Sequence, residues 1–367
     1  MKIAILTATW HYNLWDELIL LQEYKFLKAH YWEETIFTIF TYDSESSLLP
    51  KDEKIEFVPY FPNWIRKNPI KNLKYLFANY KAIKSSDLVV FWWGWLIYSE
   101  ELQKSSSPLW QWNFRVKFAK FLKKKIVWLA VWISYPEKAS FELTPIFSWE
   151  NINVSVRDKK SAQIVKSSWA EVKLLDDPVF MMKPVKNTQD DTSEVQIIWI
   201  SLRKWYLKDE EENIKQMILF LARKWYHIIL MTHSLHQSDT IANDYAFLKP
   251  FAKTYNIQIT KSMSETIEAY KRLDYMIWMR FHSMILSIIN NIPFLALSYW
   301  VKTNELLWSF HYLYSMNPKK FTFHEFIRTF EDLEKSNKEA KFALKSKYDR
   351  IKESIFLDYK DFLNGLK

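Results

Sequence analysis

The sequence has no cysteine and only two glycines, Gly94 and Gly365. The missing cysteine excludes disulfides, thiolate metal sites and a cysteine nucleophile, and fits a cytoplasmic protein. The missing glycine is less ordinary. A soluble chain of 367 residues carries about 26 glycines at the usual frequency of about 7%. Also absent is any run of about 18 apolar residues, so no spanning helix is expected. Met1–Thr9 is apolar with one lysine and no small-residue cleavage site, so it reads as a first strand and not as a signal peptide. No internal repeat, low-complexity tract, P-loop, G-x-S-x-G or zinc-finger pattern occurs.

What is present is a globular composition, 49% hydrophobic and 25% charged, with a formal net charge of +9. A positive balance points to anionic partners: a phosphorylated substrate, a membrane surface or nucleic acid. The absence of any RRM or helix-turn-helix pattern argues against nucleic acid.

Apolar strands and amphipathic helices alternate along the chain. Strands are expected at Lys2–Thr7, Thr35–Tyr42, Asp87–Phe91, Lys125–Val131, Asn153–Arg157 and Val172–Leu175. A second series is expected at Val195–Ser201, His227–Thr232, Ile257–Thr260, Tyr275–Met279 and Phe294–Tyr299. Helices are expected between them, among others at Glu17–Leu27, Glu210–Trp225, Glu265–Arg272 and Ser283–Asn290. Runs such as DLVVF and HIILMT are apolar on both faces, as buried parallel strands are. The alternation predicts an α/β fold of two Rossmann-like, doubly wound domains facing a cleft. The polar stretch Lys186–Glu194 has turn formers and no apolar periodicity, so it is the expected linker. It would separate an N-terminal domain, 1–185, from a C-terminal one, 195–320, with charged helices over 321–367.

Most of the 19 tryptophans stand where glycines belong. FWWGW, Phe91–Trp95, follows a strand, where a ligand loop needs small residues for close backbone approach. Trp15 stands where a turn enters a helix. Trp132 and Trp300 follow strand ends. Trp169 and Trp225 end amphipathic helices, at the position where glycine takes the left-handed conformation. Some bacterial codes read UGA as glycine where another reads tryptophan. A gene of the first kind translated with the second would keep only glycines from ordinary codons. Trp110 and Trp112, inside a helix-like stretch, read as genuine tryptophans.

Polar residues collect at strand carboxyl ends, where open α/β sheets bind ligands. Asn13, Asp16 and Glu17 follow the first strand; they suit sugar hydroxyls, and Asp16 and Glu17 equally suit a helix N-terminus. Arg157 closes NVSVR. Arg203 follows QIIWIS, Arg280 and His282 follow YMIWM, and Lys302 follows FLALSY. Arginine grips phosphate or carboxylate with a planar fork, and a histidine can move a proton near neutral pH. Together these five predict an anion site. His233, His236, Asp239 and Asp244 could hold a divalent metal, but His-x-x-His without a further placed carboxylate reads better as a polar loop. The run Lys117–Lys125, KFAKFLKKK, reads as a basic helix with its aromatics packed and its lysines solvated, or as one touching anionic lipid headgroups.

With glycine at the tryptophan positions, the chain resembles the polysaccharide pyruvyl transferase family, in particular its branch acting on bacterial cell-wall polymers, over roughly Lys2–Trp308. Asn13, Trp15 (for Gly), Asp16 and Glu17 match its N-x-G-D-E pattern, and FWWGWLI its Gly-rich loop. VSVRDKKSAQIVKSSW resembles the central Arg-Asp-x-x-Ser stretch, and IIWISLR the strand opening the second domain. WMRFHSMILSIINNIPFLALSYWVK resembles the most specific signature, Gly–Met–Arg–aliphatic–His, with Phe281 in place of the commoner Leu.

The resemblance implies a GT-B-like fold. It implies phosphoenolpyruvate as donor, a surface-polysaccharide sugar (often lipid-linked) as acceptor, and a pyruvate ketal plus phosphate as products. It implies Arg157, His282 and Lys302 as donor-site residues; Arg203 and Arg280 join them from their positions. No metal or cofactor is expected. Asn13, Asp16 and Glu17 would hold the acceptor, with Asp16 as a base. Two other functions remain open at this point: a GT-B glycosyltransferase using a nucleotide sugar, and a non-catalytic binder of polyanions. The codon reading has a direct check: UGA is expected at most of the 19 tryptophan positions in the gene, and UGG at most of them would refute it.

Overall fold

The computed structural model describes residues 1–6, 13–41, 44, 47–61, 69–92, 97–98, 109–185, 195–204, 206–235, 243–299 and 301–366, with backbone alone at 98, 138, 282, 301, 302 and 305. The expected linker, the loop Trp93–Trp95, and His236 and Asp239 lie outside the described residues. The chain forms two compact units: Met1–Trp10, Asp16–Met181 and Ser354–Lys367 in the first, His11–Trp15 and Met182–Glu353 in the second.

The first unit runs β1 (Lys2–Leu6), α1 (Leu14–Tyr31), β2 (Ile36–Thr41), β3 (Ile55–Pro59), α2 (Pro69–Ser85), β4 (Leu88–Phe91), β5 (Ile97–Tyr98) and α3 (Leu109–Phe121). It continues with β6 (Lys125–Val131), β7 (Ile133–Ser134), α4 (Thr144–Phe147), β8 (Ile152–Val156), α5 (Lys159–Ser167) and β9 (Lys173–Leu174). Its main sheet is parallel, ordered β3-β2-β1-β4-β6-β8-β9. The apolar residues of β1, β4 and β6 are buried because helices cover both faces, and this is why those strands lack polar alternation. Phe91 stacks on Trp128 at 4.6 Å in this core. The sequence reading missed β3, whose residues are half exposed at a sheet edge and so carry no apolar run.

The second unit runs β10 (Ile197–Ser201), α6 (Glu210–Arg223), β11 (His227–Leu230), α7 (Asp244–Tyr255), β12 (Gln258–Ile259), α8 (Met263–Ala269), β13 (Tyr275–Trp278) and α9 (Phe281–Ile289). Then come β14 (Phe294–Leu297), α10 (Val301–Trp308), β15 (Ser315–Met316), α11 (Phe323–Lys335) and α12 (Asn337–Asn364). Its sheet is also parallel, ordered β12-β11-β10-β13-β14-β15. In both sheets the strand order reverses direction, between β1 and β4 and between β10 and β13. Such switch points open a crevice at the strands' carboxyl ends. No helix among the described residues is long and apolar enough to cross a membrane.

The backbone bears on the tryptophans directly. Trp169 and Trp225 have φ of 63° and 64°, in the left-handed region, and Trp32, just past α1, has φ of 84°. At the end of α6, Trp225 N–H donates to the Ala222 carbonyl and Tyr226 N–H to the Leu221 carbonyl. Those two bonds form the Schellman motif, whose left-handed residue is usually glycine. The three indoles stand 81–87% exposed, packing against little. Trp128, Trp199 and Trp278 are buried in strands, and their indole N–H groups lack a hydrogen-bond partner among the described residues. A buried orphan donor costs about 1–3 kcal/mol. Glycine would remove both kinds of penalty. Trp169→Gly and Trp225→Gly are each expected to raise stability by about 1 kcal/mol in denaturant unfolding; destabilisation by both would show that the indoles belong there.

Candidate active site

The second sheet assembles its polar residues at one edge. β10 and β13 flank the switch point and pair in register from Ile198↔Tyr275 to Ser201↔Trp278. Arg203 follows β10 and Arg280 follows β13, so both leave neighbouring strands at the carboxyl edge. Arg280 is the N-cap residue of α9, and His282 is the second residue of that helix. Lys302 lies in α10, just after β14, which neighbours β13. The fold thus brings the backbones of Arg203, Arg280, His282 and Lys302 to one edge, beside the N-terminus of α9, where free N–H groups favour an anion.

Asp244 organises this edge. Its buried carboxylate accepts the backbone N–H groups of His233 and Ser234, each at 3.0 Å, through one oxygen. The other oxygen accepts Arg280 Nε at 3.2 Å and also Nη2. Burial pushes the Asp244 carboxyl up, and the Arg280 guanidinium opposes that shift, followed by the two backbone donors. Asp244 sits at the positive end of α7, where a carboxylate is favoured.

His233 lies beneath. Its Nδ1 meets Ser201 Oγ at 2.9 Å, and its Nε2 meets Tyr270 Oη at 3.1 Å and Ser283 Oγ at 3.2 Å. Burial, reinforced by the Arg280 charge, lowers its pKa to about 3. The imidazole is therefore neutral at physiological pH. It ties the ends of β10 and β11 to α8 and α9. This corrects the alternative of His233 and Asp244 as metal ligands: both spend their side chains on hydroxyls, backbone N–H groups and Arg280. Sequence reasoning missed the positioning role, because nothing local says which hydroxyls the fold will bring to that ring.

Arg203 lies over the Tyr206 ring, 5.2 Å from its centroid, and Tyr206 in turn packs on Tyr299 at 4.1 Å. The guanidinium is partly enclosed by these two rings, which follow β10 and β14. Tyr206 was not singled out in the sequence; Tyr299 belongs to the family-like run FLALSYWVK, and only the sheet order makes the two neighbours.

The remaining expected residues are placed differently. Asn13 caps α1, accepting Trp15 N–H at 3.1 Å, and forms a β-bridge with Ser234 while Leu14 N–H donates to the His233 carbonyl. Asn13 is therefore held against the same His233–Ser234 turn that Asp244 clamps. Glu17 is buried and accepts Leu48 N–H at 3.0 Å. Asp16 is buried in the first turn of α1. Arg157, just past β8, pairs with Asp177 at 2.5 Å, and both side chains are almost fully buried. Its neighbour Asp158 caps α5 through Ser161 N–H at 2.8 Å.

The depressed His233 pKa makes stability fall with acid. Its folded value, about 3, lies below the unfolded value of about 6.5, so the unfolded chain binds more protons across that window. Stability is lost as pH falls through it. His233→Gln is expected to flatten this loss by roughly 1 kcal/mol per pH unit between pH 6 and 4, read from thermal unfolding. An unchanged slope would mean that His233 is not buried as described.

Compared with curated proteins by sequence, the chain finds no match. Solved structures match its fold over its whole length. Anabaena HepE in complex with UDP and glucose aligns with a TM-score of 0.63 at 10% identity, covering 100% of both chains. The UDP-GlcNAc 2-epimerase of Neisseria meningitidis bound to UDP-GlcNAc aligns at 0.61 and 10% identity, over 99% of this chain and 100% of that one. A Rickettsia africae glycosyltransferase aligns at 0.58 and 13% identity over 99% of each. These likenesses place the fold with GT-B glycosyltransferases and UDP-GlcNAc 2-epimerases. The family profile of polysaccharide pyruvyl transferase matches residues 16–300, which takes in Arg157, Arg203 and the clamp of Asp244 on Arg280, and the chain belongs to that family.

Proposed function

We propose that the protein moves the pyruvyl group of phosphoenolpyruvate onto two hydroxyls of one sugar, in a surface or cell-wall polysaccharide or its lipid-linked precursor. The observation that supports this most is the clamped Arg280 at the sheet switch point, beside the N-terminus of α9, in a chain of the pyruvyl transferase family. Phosphoenolpyruvate carries a phosphate and a carboxylate. Recognising both takes cations set in place before reaction, since reorganising them later would cost part of the rate gain. Arg203, Arg280 and Lys302 are the proposed donor cations, and Arg157 joins them from the family pattern.

Protonation of the donor's methylene carbon makes a methyl group and leaves the central carbon electrophilic. His282, one residue past Arg280, is the proposed acid. One sugar hydroxyl attacks that carbon and gives up its proton. The second hydroxyl then displaces phosphate, which departs with the remaining proton, and the ketal closes. One hydroxyl proton thus offsets the one His282 delivers, and the other leaves on phosphate. Asn13, Asp16 and Glu17 are the proposed acceptor side, with Asp16 as base. Arg157 carries a second duty: without it the Asp177 carboxylate would be buried unpaired, at about 3–5 kcal/mol. Loss of activity on replacing Arg157 must therefore be read against loss of fold.

The donor is made inside cells, so the reaction is assigned to the cytoplasm, at the inner face of the membrane when the acceptor is lipid-linked. The test is phosphate release from phosphoenolpyruvate with a panel of lipid-linked and aryl sugars. Release is expected with at least one sugar, and His282→Ala is expected to abolish it while circular dichroism stays unchanged. Release by His282→Ala at the parent rate would remove His282 from the mechanism. No release with any sugar, alongside tight binding of a nucleotide sugar, would instead assign a glycosyltransferase.

A further inference from the structure

The net positive charge is not spread over the molecule. Residues 57–86 and 102–136 contain no Asp or Glu but 13 Lys and Arg, leaving 38 Lys and Arg against 42 Asp and Glu in the rest of the chain. The two segments carry α2 and α3 of the first unit. These helices are neighbours: Lys124, just past α3, donates Nζ to the Lys84 carbonyl at the end of α2, and Tyr80 meets Phe118 ring to ring at 6.4 Å.

Both helices bury one face and turn the other outward. The inner face of α2 holds Asn79, Ala82 and Ile83; that of α3 holds Trp112, Arg115, Val116 and Ala119. Ile70, Leu73 and Phe77 on α2 are 73%, 64% and 59% exposed, and their spacing of three and four residues makes one stripe. Trp110, Phe114 and Phe121 on α3 are 63%, 45% and 79% exposed, spaced four and seven apart, and Lys117 fills the gap between the last two. Lys71, Lys74, Lys81 and Lys84 border the α2 stripe and are exposed. The Lys81 ammonium lies over the Phe77 ring, 4.7 Å from its centroid, so a cation borders the apolar stripe directly.

We propose that this α2–α3 face docks on an anionic lipid surface, the apolar stripes entering the acyl boundary and the lysines meeting headgroup phosphates. Large aliphatic and aromatic side chains ringed by lysine are what an interfacial site needs. A nucleic acid has no use for exposed Ile70 and Leu73. A second copy of the same face would bring its cations against like charges. The proposal does not depend on the pyruvyl transfer chemistry. It adds to it a way to keep the enzyme where a lipid-linked acceptor is.

The full-length protein is to be co-sedimented with phosphatidylcholine vesicles, with and without phosphatidylglycerol, at low and high salt. Binding is expected only with phosphatidylglycerol and is expected to weaken with salt. Lys71→Gln/Lys74→Gln/Lys81→Gln/Lys84→Gln should lower vesicle affinity by roughly several hundredfold, about fivefold per lysine. Ile70→Ser/Phe77→Ser/Phe121→Ser should lower it at least about tenfold. Both variants replace exposed side chains and should keep the parent melting temperature and the parent turnover of a soluble aryl sugar, while turnover of a lipid-linked acceptor in vesicles drops. No binding of the parent to anionic vesicles, or equal binding by parent and variants, would overturn the proposal. So would a concentration-dependent dimer that the apolar variant abolishes, which would give the face to a second copy. If vesicle binding holds and no sugar supports phosphate release, the surface stands and the reaction falls.

Discussion

The second unit depends on one buried carboxylate. Asp244 holds the turn after β11 by its backbone N–H groups and holds the side chain after β13 by its guanidinium. Without it two backbone donors and Arg280 would all lose their acceptor. An ionised group with several charge-assisted hydrogen bonds is rigid in a way that packing alone is not. Asn13 is bridged to the same turn, and the neutral ring of His233 ties that turn to β10, α8 and α9. A site that must grip a small dianionic donor gains from cations fixed before the donor arrives.

The first unit handles buried charge differently. Glu23 on α1 is fully buried, and its carboxyl has no hydrogen-bond partner among the described residues. Burial, then the nearby charge of Asp177, pushes its pKa well up, and the Arg157 charge opposes that shift. Arg157 and Asp177 pair with one another beside it. Tyr359, on the last helix, donates to the Asp176 carbonyl and packs its ring edge on Phe26 of α1. The carboxyl end of α12 thus closes over the segment that carries Asp177.

Tryptophans at glycine positions occur in both units. Read as glycine, they restore the helix ends at Trp169 and Trp225 and the small residue of the Gly–Met–Arg–aliphatic–His pattern at Trp278. The structure shows the strain that these indoles carry: left-handed φ at three of them and indole N–H groups without a partner among the described residues in three central strands. The penalties fall at positions picked from the sequence, as at Trp169 and Trp225, and at ones the pattern did not single out, such as Trp32.

The sequence by itself determined the α/β class and the order of the elements. All eleven expected strands form; most are central strands, and a strand buried on both faces must be apolar throughout, a mark that is local. It also determined that Arg203, Arg280, His282 and Lys302 follow strand ends, which depends only on neighbours along the chain. What the tertiary structure decided is which strand ends stand together. Sheet order is set by crossovers between strands far apart in the chain, and no local pattern records that Ser201, His233, Tyr270 and Ser283 will share one ring. The same holds for Arg157, Glu17 and Asn13: the chain marks them as polar at strand ends, and only folding gives them Asp177, Leu48 and Ser234 as partners. Charge at an edge is a local property, whereas its direction and partner come from packing.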